Sequence, residues 1–317
     1  MKHRSAKISA CVVTYNRAAI VGTCLKALAF ADEVIVVDKT STDDTRQIVR
    51  ALADRVFVVP WTPVVEDTRA FAVSQCRHDW VLLLDDDECL SVEAVRFITA
   101  ELLAPQADAY AFPLRHYILG VHDERAYYWP EHHVRLFRQD AVTFRPRVHG
   151  GLRLNDAARL MQVPVESGAH IHHLSHASVA SWIARTNRYT QVAEREMAPL
   201  DGRTLVAFAH ARIDHWAARS RGSDGTDYPA AVALLRAVYD IVDQLKAWEA
   251  ANGLGQPEAF PALCAALEAQ YAGQPRTWPR FREGWARLLS WVRRRLRGAA
   301  APNPARTATG CDLQAMP

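Results

Sequence analysis

The chain is notable first for what it lacks. Net charge is small: 38 Lys and Arg against 35 Asp and Glu leave +3 over 317 residues, which gives no global case for nucleic acid as a partner. No apolar run approaches the roughly 18–20 residues needed to span a bilayer. The basic N-terminus leads only into a strand-length run, Ile8 to Val13, and does not read as a signal peptide. The six cysteines, at 11, 24, 76, 89, 264 and 311, show no CxxC spacing and mostly sit in apolar segments. They are expected as reduced core thiols, which fits a cytoplasmic setting. The first strand is followed by no GxGxxG, so a hydride-transfer dinucleotide domain is disfavoured. GxxxxGK[ST], GxSxG and HExxH are also missing, and no internal repeat is evident.

What is present is a chain long enough for one catalytic-size domain plus an appendage. Hydrophobic residues make up 50% of it and aromatics 9%, which excludes a disordered protein. The organising stretch is Trp80-Val81-Leu82-Leu83-Leu84-Asp85-Asp86-Asp87-Glu88. Its apolar half reads as a strand buried on both faces. Its four acids fall where that strand leaves the sheet, and in open parallel sheets ligands bind beyond the carboxyl ends of strands. Crowded carboxylates repel unless a cation joins them. Asp85 and Asp87 are therefore candidates to hold a hard divalent ion, Mg²⁺ or Mn²⁺. The plainer reading is a solvated acidic turn that caps the next helix.

Residues 8–13 read as the first strand, ending in Thr14-Tyr15-Asn16-Arg17, with a helix expected over 18–29. Glu33 to Val37 is the second strand, with Asp38 at its carboxyl end. Ser41-Thr42-Asp43-Asp44-Thr45 then looks suited to capping a helix. Val56 to Val59 is the third strand, and a helix through Phe71 leads into the strand at 80–84. Alternating β and α elements of this length predict an α/β fold with a mostly parallel sheet flanked by helices. Tyr15-Asn16, Asp38 and Asp85 to Asp87 then share one edge, where a nucleotide is the natural ligand.

Beyond Ser91, which can cap a helix over 92–103, composition shifts. Nine of the thirteen His lie between 116 and 176. Strands are expected at 110–114, 134–137 and 170–173. A zinc site is weak here without Cys partners or helical His spacing, so most of these His are expected to be surface or core hydrogen-bonders. Helices are expected over 178–197 and 228–248, with Arg-rich loops between them. Trp285 to Arg297 mixes Trp and Leu with a basic face. Such a helix suits an anionic membrane interface, or equally a terminal helix packed on the domain with its Arg turned outward. The tail after Gly298 is expected to be disordered. The division expected is a catalytic domain over 1–176, a helical region over 177–298 and the tail over 299–317.

Taken in order, these motifs resemble family 2 glycosyltransferases of the GT-A fold, and within them the lipopolysaccharide inner-core β-glucosyltransferase branch. The marks are Val12-Val13-Thr14-Tyr15-Asn16, then Ala31 to Asp38 with Ser41-Thr42-Asp43, then Trp80 to Glu88. They continue through Trp129-Pro130-Glu131 to Arg135-Leu136-Phe137, Val148-His149, His173, Asn187-Arg188-Tyr189 and Asp224-Gly225. The resemblance covers roughly residues 7–250. It departs at Gly150, which replaces an acid, at Lys39-Thr40, which replace small residues, and at Ala70, where Asn is usual.

The resemblance implies a nucleotide-sugar held by Thr14, Tyr15, Asn16, Asp38, Asp85 and Asp86. It further implies metal at Asp87 and His173, Arg135 near the diphosphate and Glu131 as base, with His149 and Asp123 as the other candidates for that role. The implied activity is inverting, Mg²⁺- or Mn²⁺-dependent transfer to a lipid-linked or lipopolysaccharide glycan. The implied location is cytoplasmic, peripheral on the inner face of the membrane through Trp285 to Arg297. Rival readings are transfer to a peptide or protein, and a nucleotide-sugar-binding partner subunit without catalysis.

Overall fold

The structure, a computed structural model, describes residues 6–62, 65–144, 151–191, 199–220, 227–256 and 259–272, together with 287, 289–291, 293 and 294. Eleven strands are assigned among them: β1 (Ile8–Thr14), β2 (Glu33–Asp38), β3 (Arg55–Val58), β4 (Trp80–Asp85), β5 (Glu88–Leu90), β6 (Ala109–Ile118), β7 (His132–Arg138), β8 (Val142–Phe144), β9 (Leu152–Leu154), β10 (Leu160–Gln162) and β11 (Ile171–His176). The helices are α1 (Val21–Lys26), α2 (Thr45–Leu52), α3 (Glu66–Ser74), α4 (Val92–Glu101), α5 (Val179–Tyr189), α6 (Gly202–Arg219), α7 (Tyr228–Ala251) and α8 (Ala259–Tyr271). Met1–Leu254 is one compact unit, in which α5, α6 and α7 share a body with the sheet. Gly255–Pro317 is a second unit, of which α8 is the longest described element.

The main sheet runs β3-β2-β1-β4-β7-β6-β11-β5, with β10 paired beside the start of β6. Its first four strands are parallel. β7 then enters antiparallel between β4 and β6. The α/β architecture expected from the sequence is the one found.

Alternation along the parallel strands explains why they read as unbroken apolar runs. Ile8, Ala10, Val12, Val34, Val36, Leu82 and Leu84 face one layer, with Val21 and Leu25 of α1, Val49 of α2 and Ile98 of α4. Cys11, Val13, Ile35, Val37, Val81 and Leu83 face the other, against Ala72 and Val73 of α3. Each such side chain contributes about 1.5–3 kcal/mol by leaving water. β1, β2 and β4 are therefore fixed in register on both faces. A third cluster, Ile118, Ala126, Tyr128, Trp182 and Val232, joins the loop after β6 to α5 and α7. The Tyr228 hydroxyl donates to the carbonyls of Ile118 and Val121 at 2.8 and 2.7 Å and fastens α7 to that loop.

Three expectations change. The helix expected over 18–29 is short, Val21–Lys26. The expected Arg-rich loops contain an 18-residue helix, α6, started by the Asp201 side chain accepting from the Thr204 amide at 2.8 Å. No residue of α6 is buried, so it carries little of the apolar periodicity that marks a helix in sequence. The acids after β4 do not form a solvated helix cap either: Glu88 enters β5 directly, and Ser91 caps α4 by accepting from the Ala94 amide. Trp285, Leu288, Arg295 and Leu296 of the expected membrane helix, Val148-His149-Gly150, Asp224-Gly225 and the tail lie outside the described residues. Among the described residues no helix is long and apolar enough to cross a membrane.

Candidate active site at the sheet edge

The strand order 3-2-1-4 places a topological switch point between β1 and β4, where ligand crevices form beyond the strand ends. Thr14 is in register with Asp38, and Val13 with Asp85. The turn after β1 is built from side chains of the next loop rather than from its own. Asn16 takes φ 52°, a left-handed conformation that Asn tolerates better than most residues. Its amide donates to Ser41 Oγ at 2.9 Å, and the Arg17 amide donates to Thr45 Oγ1 at 2.7 Å. The hydroxyls expected to cap α2 thus hold the Tyr15-Asn16-Arg17 turn instead. Asp43 still accepts from the Thr45 amide at 3.0 Å.

The acidic turn is stitched into this frame by Arg residues. Asp85 meets Arg69 of α3 and, at 3.3 Å, Arg135 of β7. Burial opposes its charge, but Arg69 and then Arg135 outweigh burial and hold the carboxyl well below its usual range. Glu88 accepts from Arg135 at 2.6 and 2.7 Å. Asp86 accepts from the Tyr15 amide at 3.2 Å, across the crevice, and from Arg17 Nε at 3.1 Å. Burial and the neighbouring Asp87 push its carboxyl up to about 7. Asp87 has Arg17 at 3.2 Å and Arg185 at 3.5 Å on one oxygen, and His173 Nε2 at 3.5 Å from the other. Burial works against that pair too, yet mutual attraction lowers the Asp87 carboxyl and raises His173.

Among the described residues no three His, Cys, Asp or Glu side chains converge as a ready metal cage. Mg²⁺ typically takes only one or two protein carboxylates and completes its shell with water and phosphate oxygens. Asp87 and His173 fit such a two-point anchor, with His173 giving up a proton on ligation.

Next to Asp87 opens a cleft of about 340 Å³, bounded by β6, the segment between β6 and β7, β11, α5 and α7. His173 Nδ1 lies 2.7 Å from His116 Nδ1. His116 Nε2 lies 3.3 Å from one Glu131 oxygen, and His133 Nε2 lies 3.1 Å from the other. A chain of contacts thus runs from the strand-end acid Asp87 through two adjacent imidazoles, His173 and His116, to Glu131. Burial disfavours the Glu131 charge, but His116 and His133 outweigh it and hold the carboxyl well below its usual value. Tyr127, Tyr128, Trp182, Tyr189 and Tyr239 supply aromatic walls.

Of the residues singled out from sequence, Tyr15, Asn16, Asp38, Asp85, Asp86 and Asp87 gather at the sheet edge, while His173 and Glu131 line the cleft beside it. Asp38 is fully buried, accepting from the Ser41 amide at 3.0 Å and Arg46 at 2.7 Å. Thr14 is buried beneath the turn. Arg135, expected near a diphosphate, has its guanidinium spent on Glu88 and Asp85. Asp123, the alternative base, has both oxygens occupied by Arg125, at 3.0 and 2.8 Å. His149 lies outside the described residues. Sequence reasoning missed Arg17, Arg69 and Arg185. For Arg17 a signal existed, its place directly after Tyr15-Asn16. For Arg69 the only signal is a basic residue in the helix that leads into the acidic strand, and for Arg185 one in the helix that follows the strand of His173. Of the departures from the family pattern, Lys39 is accommodated locally, its Nζ donating to the Thr62 carbonyl at 2.6 Å.

The model for the family described as Glycosyl transferase family 2 matches residues 9–154, which contain all of this edge and Glu131. An uncharacterized glycosyltransferase of Rickettsia felis is 30% identical over 202 residues, 60% of this chain and 70% of that protein. The lipopolysaccharide core biosynthesis glycosyltransferase LpsC of Rhizobium meliloti is 31% identical over 120 residues, 36% of this chain and 44% of its own length. The chain spans about two thirds of the length of the Rickettsia relatives it matches. Among solved structures, that of S. aureus TarS residues 1–349 aligns over 79% of this chain and 92% of its own at 16% identity, with a TM-score of 0.37. The extent of the R. felis match, together with the family motifs set on one sheet edge, gives the conclusion that this chain belongs to glycosyl transferase family 2.

Proposed function

We propose that the protein transfers a sugar, with inversion, from a nucleotide-sugar to a cell-envelope glycan acceptor, lipid-linked or part of lipopolysaccharide. The observation that carries the reading is the juxtaposition of the acidic strand end with a cleft that presents Glu131. The nucleoside lies along Tyr15, Asn16 and the Asp38 edge, with Asp85 and Asp86 beneath the ribose. Asp87 and His173 hold Mg²⁺ or Mn²⁺, which when bound offsets the charge of the nucleoside diphosphate as it leaves. Arg17 and Arg185 are permanent cations beside the same oxygens. Arg135 acts one step back, keeping Asp85 ionised and holding Glu88 in place.

The acceptor hydroxyl attacks the anomeric carbon from the cleft side, and the bond to the diphosphate oxygen breaks on the opposite side. Glu131 takes the hydroxyl proton. Its low proton affinity makes it a weak base toward the free alcohol. The hydroxyl becomes acidic only as its bond to carbon forms, so the gain is confined to the transition state. A single base on the face opposite the leaving group yields inversion. The lipopolysaccharide reading of the acceptor draws support from the name of LpsC. Work at the inner membrane face, with Trp285 to Arg297 on anionic lipid, belongs to the same reading.

The test is a screen of nucleotide-sugars for metal-dependent protection against thermal unfolding, since a bound donor stabilises by mass action. Asp87→Asn should keep the fold and lose the Mn²⁺- or Mg²⁺-dependent part of that protection. If Asp87→Asn binds the donor as tightly as wild type with metal present, the assignment of Asp87 is wrong.

A further inference from the structure

The cleft holds a cation that the proposed reaction does not use. Arg236 of α7 lines it together with Glu131, and Tyr127 lies close to the charges of both. The Arg236 guanidinium carbon lies over two rings, 4.6 Å from the Tyr239 centre and 4.9 Å from that of Trp216. Its ion-pair partner is Asp240, one turn further along α7, at 2.8 Å. Asp240 is already shared: its other oxygen accepts from Arg212 at 2.6 Å and from Trp216 Nε1 at 2.8 Å. One carboxylate thus serves two guanidiniums. A carboxylate is likewise shared at the inner end of the cleft, where Arg185 meets Asp87 together with His173 and with Arg17, which also lies on Asp86.

A guanidinium stacked on aromatic rings still points its N–H edge outward, and that fork matches a carboxylate or a phosphate with two parallel hydrogen bonds. Beside it stand the faces of Tyr127 and Tyr239, apolar plates of the kind that receive the C–H face of a sugar ring. A cleft for a neutral sugar needs such plates and neutral hydrogen-bonding groups. It gains nothing from a guanidinium set against them that shares its one carboxylate partner with a second guanidinium.

We propose that this cleft seats an anionic sugar, whose carboxylate or phosphate is bound by Arg236 while its reacting hydroxyl is turned toward Glu131. The proposal rests on the glycosyltransferase reading and specifies the class of its acceptor. Arg236 is a specificity residue in this scheme: it grips the acid and takes no part in breaking bonds.

The experiment uses the full chain and three probes, glucuronic acid, glucose 6-phosphate and glucose, titrated by saturation-transfer NMR with UDP or GDP present. One or both acidic sugars should bind at least about ten-fold more tightly than glucose, the worth of one charge-assisted contact. Which of the two wins tells carboxylate from phosphate. Arg236→Gln should erase the preference and Arg236→Lys should restore part of it. Thermal unfolding of both variants establishes that they are folded; should Arg236→Gln fail to fold, the Arg236→Lys titration carries the test, with a weakened preference expected. Equal affinity for glucose and the acids, no binding of either acid at millimolar concentration, loss of acid binding once nucleotide is present, or an unchanged preference in the substituted protein would each overturn the proposal. Calorimetric titration with UDP and GDP alone reports the strand-end site separately. If neither binds, it is the glycosyltransferase reading that fails.

Discussion

The two halves of the main sheet treat polar side chains in opposite ways. In the parallel half, β1, β2 and β4 are buried along nearly their whole length, and the acids that face the site come only where the strands end. In the mixed half, where β7 runs antiparallel to its neighbours, polar groups sit within the strands: Arg115 and His116 in β6, His132, His133 and Arg135 in β7, His172 and His173 in β11. One half is a rigid ledge with chemistry along its rim. The other is a polar wall whose every ionisable group depends on a neighbour. The lesson is that the ledge sets where a ligand can lie, while the wall sets what charge and proton affinity that ligand meets.

Arg135 is where wall and ledge are joined, so its loss should have the largest effect. Arg135→Gln leaves Glu88, almost wholly buried, and Asp85 short of their partner. A buried carboxylate stripped of its guanidinium costs about 3–5 kcal/mol. Urea denaturation should register that loss; a change below about 1 kcal/mol would mean that the two halves are not tied there. Glu131→Gln tests the wall alone. Its carboxyl is half exposed, so the fold should persist, while kcat falls by about 10², the lower end for a base of weak proton affinity. Donor affinity, followed by calorimetry, should barely move. Retention of more than about a tenth of kcat would remove Glu131 from the role of base.

The smallest expected effect is a pH dependence lodged in β11. Burial, then Arg185 and His173, push the His176 imidazole down to about 3, so it stays neutral in the fold. Above pH 6.5 it is neutral in both states and costs nothing. As pH falls from 6.5 toward 3, the unfolded chain takes a proton that the folded one refuses, so stability declines across that window. The loss amounts to about 2 kcal/mol by pH 5. His176→Phe, which keeps a ring against Trp182, should flatten the decline between pH 6.5 and pH 5. An identical slope in the substituted protein would locate the effect elsewhere on the wall.

This contrast also governs how much could be read before the structure. The ledge was legible because strands buried on both faces are unbroken apolar runs, and because their acids follow at once: Val36-Val37-Asp38 and Leu83-Leu84-Asp85 announce both the strand and its end. The wall was legible only in outline. Strands were expected near 110–114, 134–137 and 170–173, but the His within them read as ordinary hydrogen-bonders, since no sequence spacing reveals that His116, His173 and Glu131 meet across three strands. Glu88 was expected at a turn and lies in β5, where pairing with β11 buries it beside Arg135. α6 was invisible for the opposite reason, having no buried stripe to mark it.

Arg17 has one more consequence. It is a side chain of the ledge's first turn that lies on both Asp86 and Asp87 before any ligand arrives. In the language of ion exchange, the resting site already carries its own counter-ion, on a tether a few bonds long. On the proposed reading, an incoming diphosphate is an anion like the two carboxylates and would compete with them for the Arg17 guanidinium, so its binding would be a swap of ion pairs with little net gain of charge contacts. The two acids would draw Arg17 back as the nucleoside diphosphate departs, which would give the spent product a competitor for its partner at every turnover.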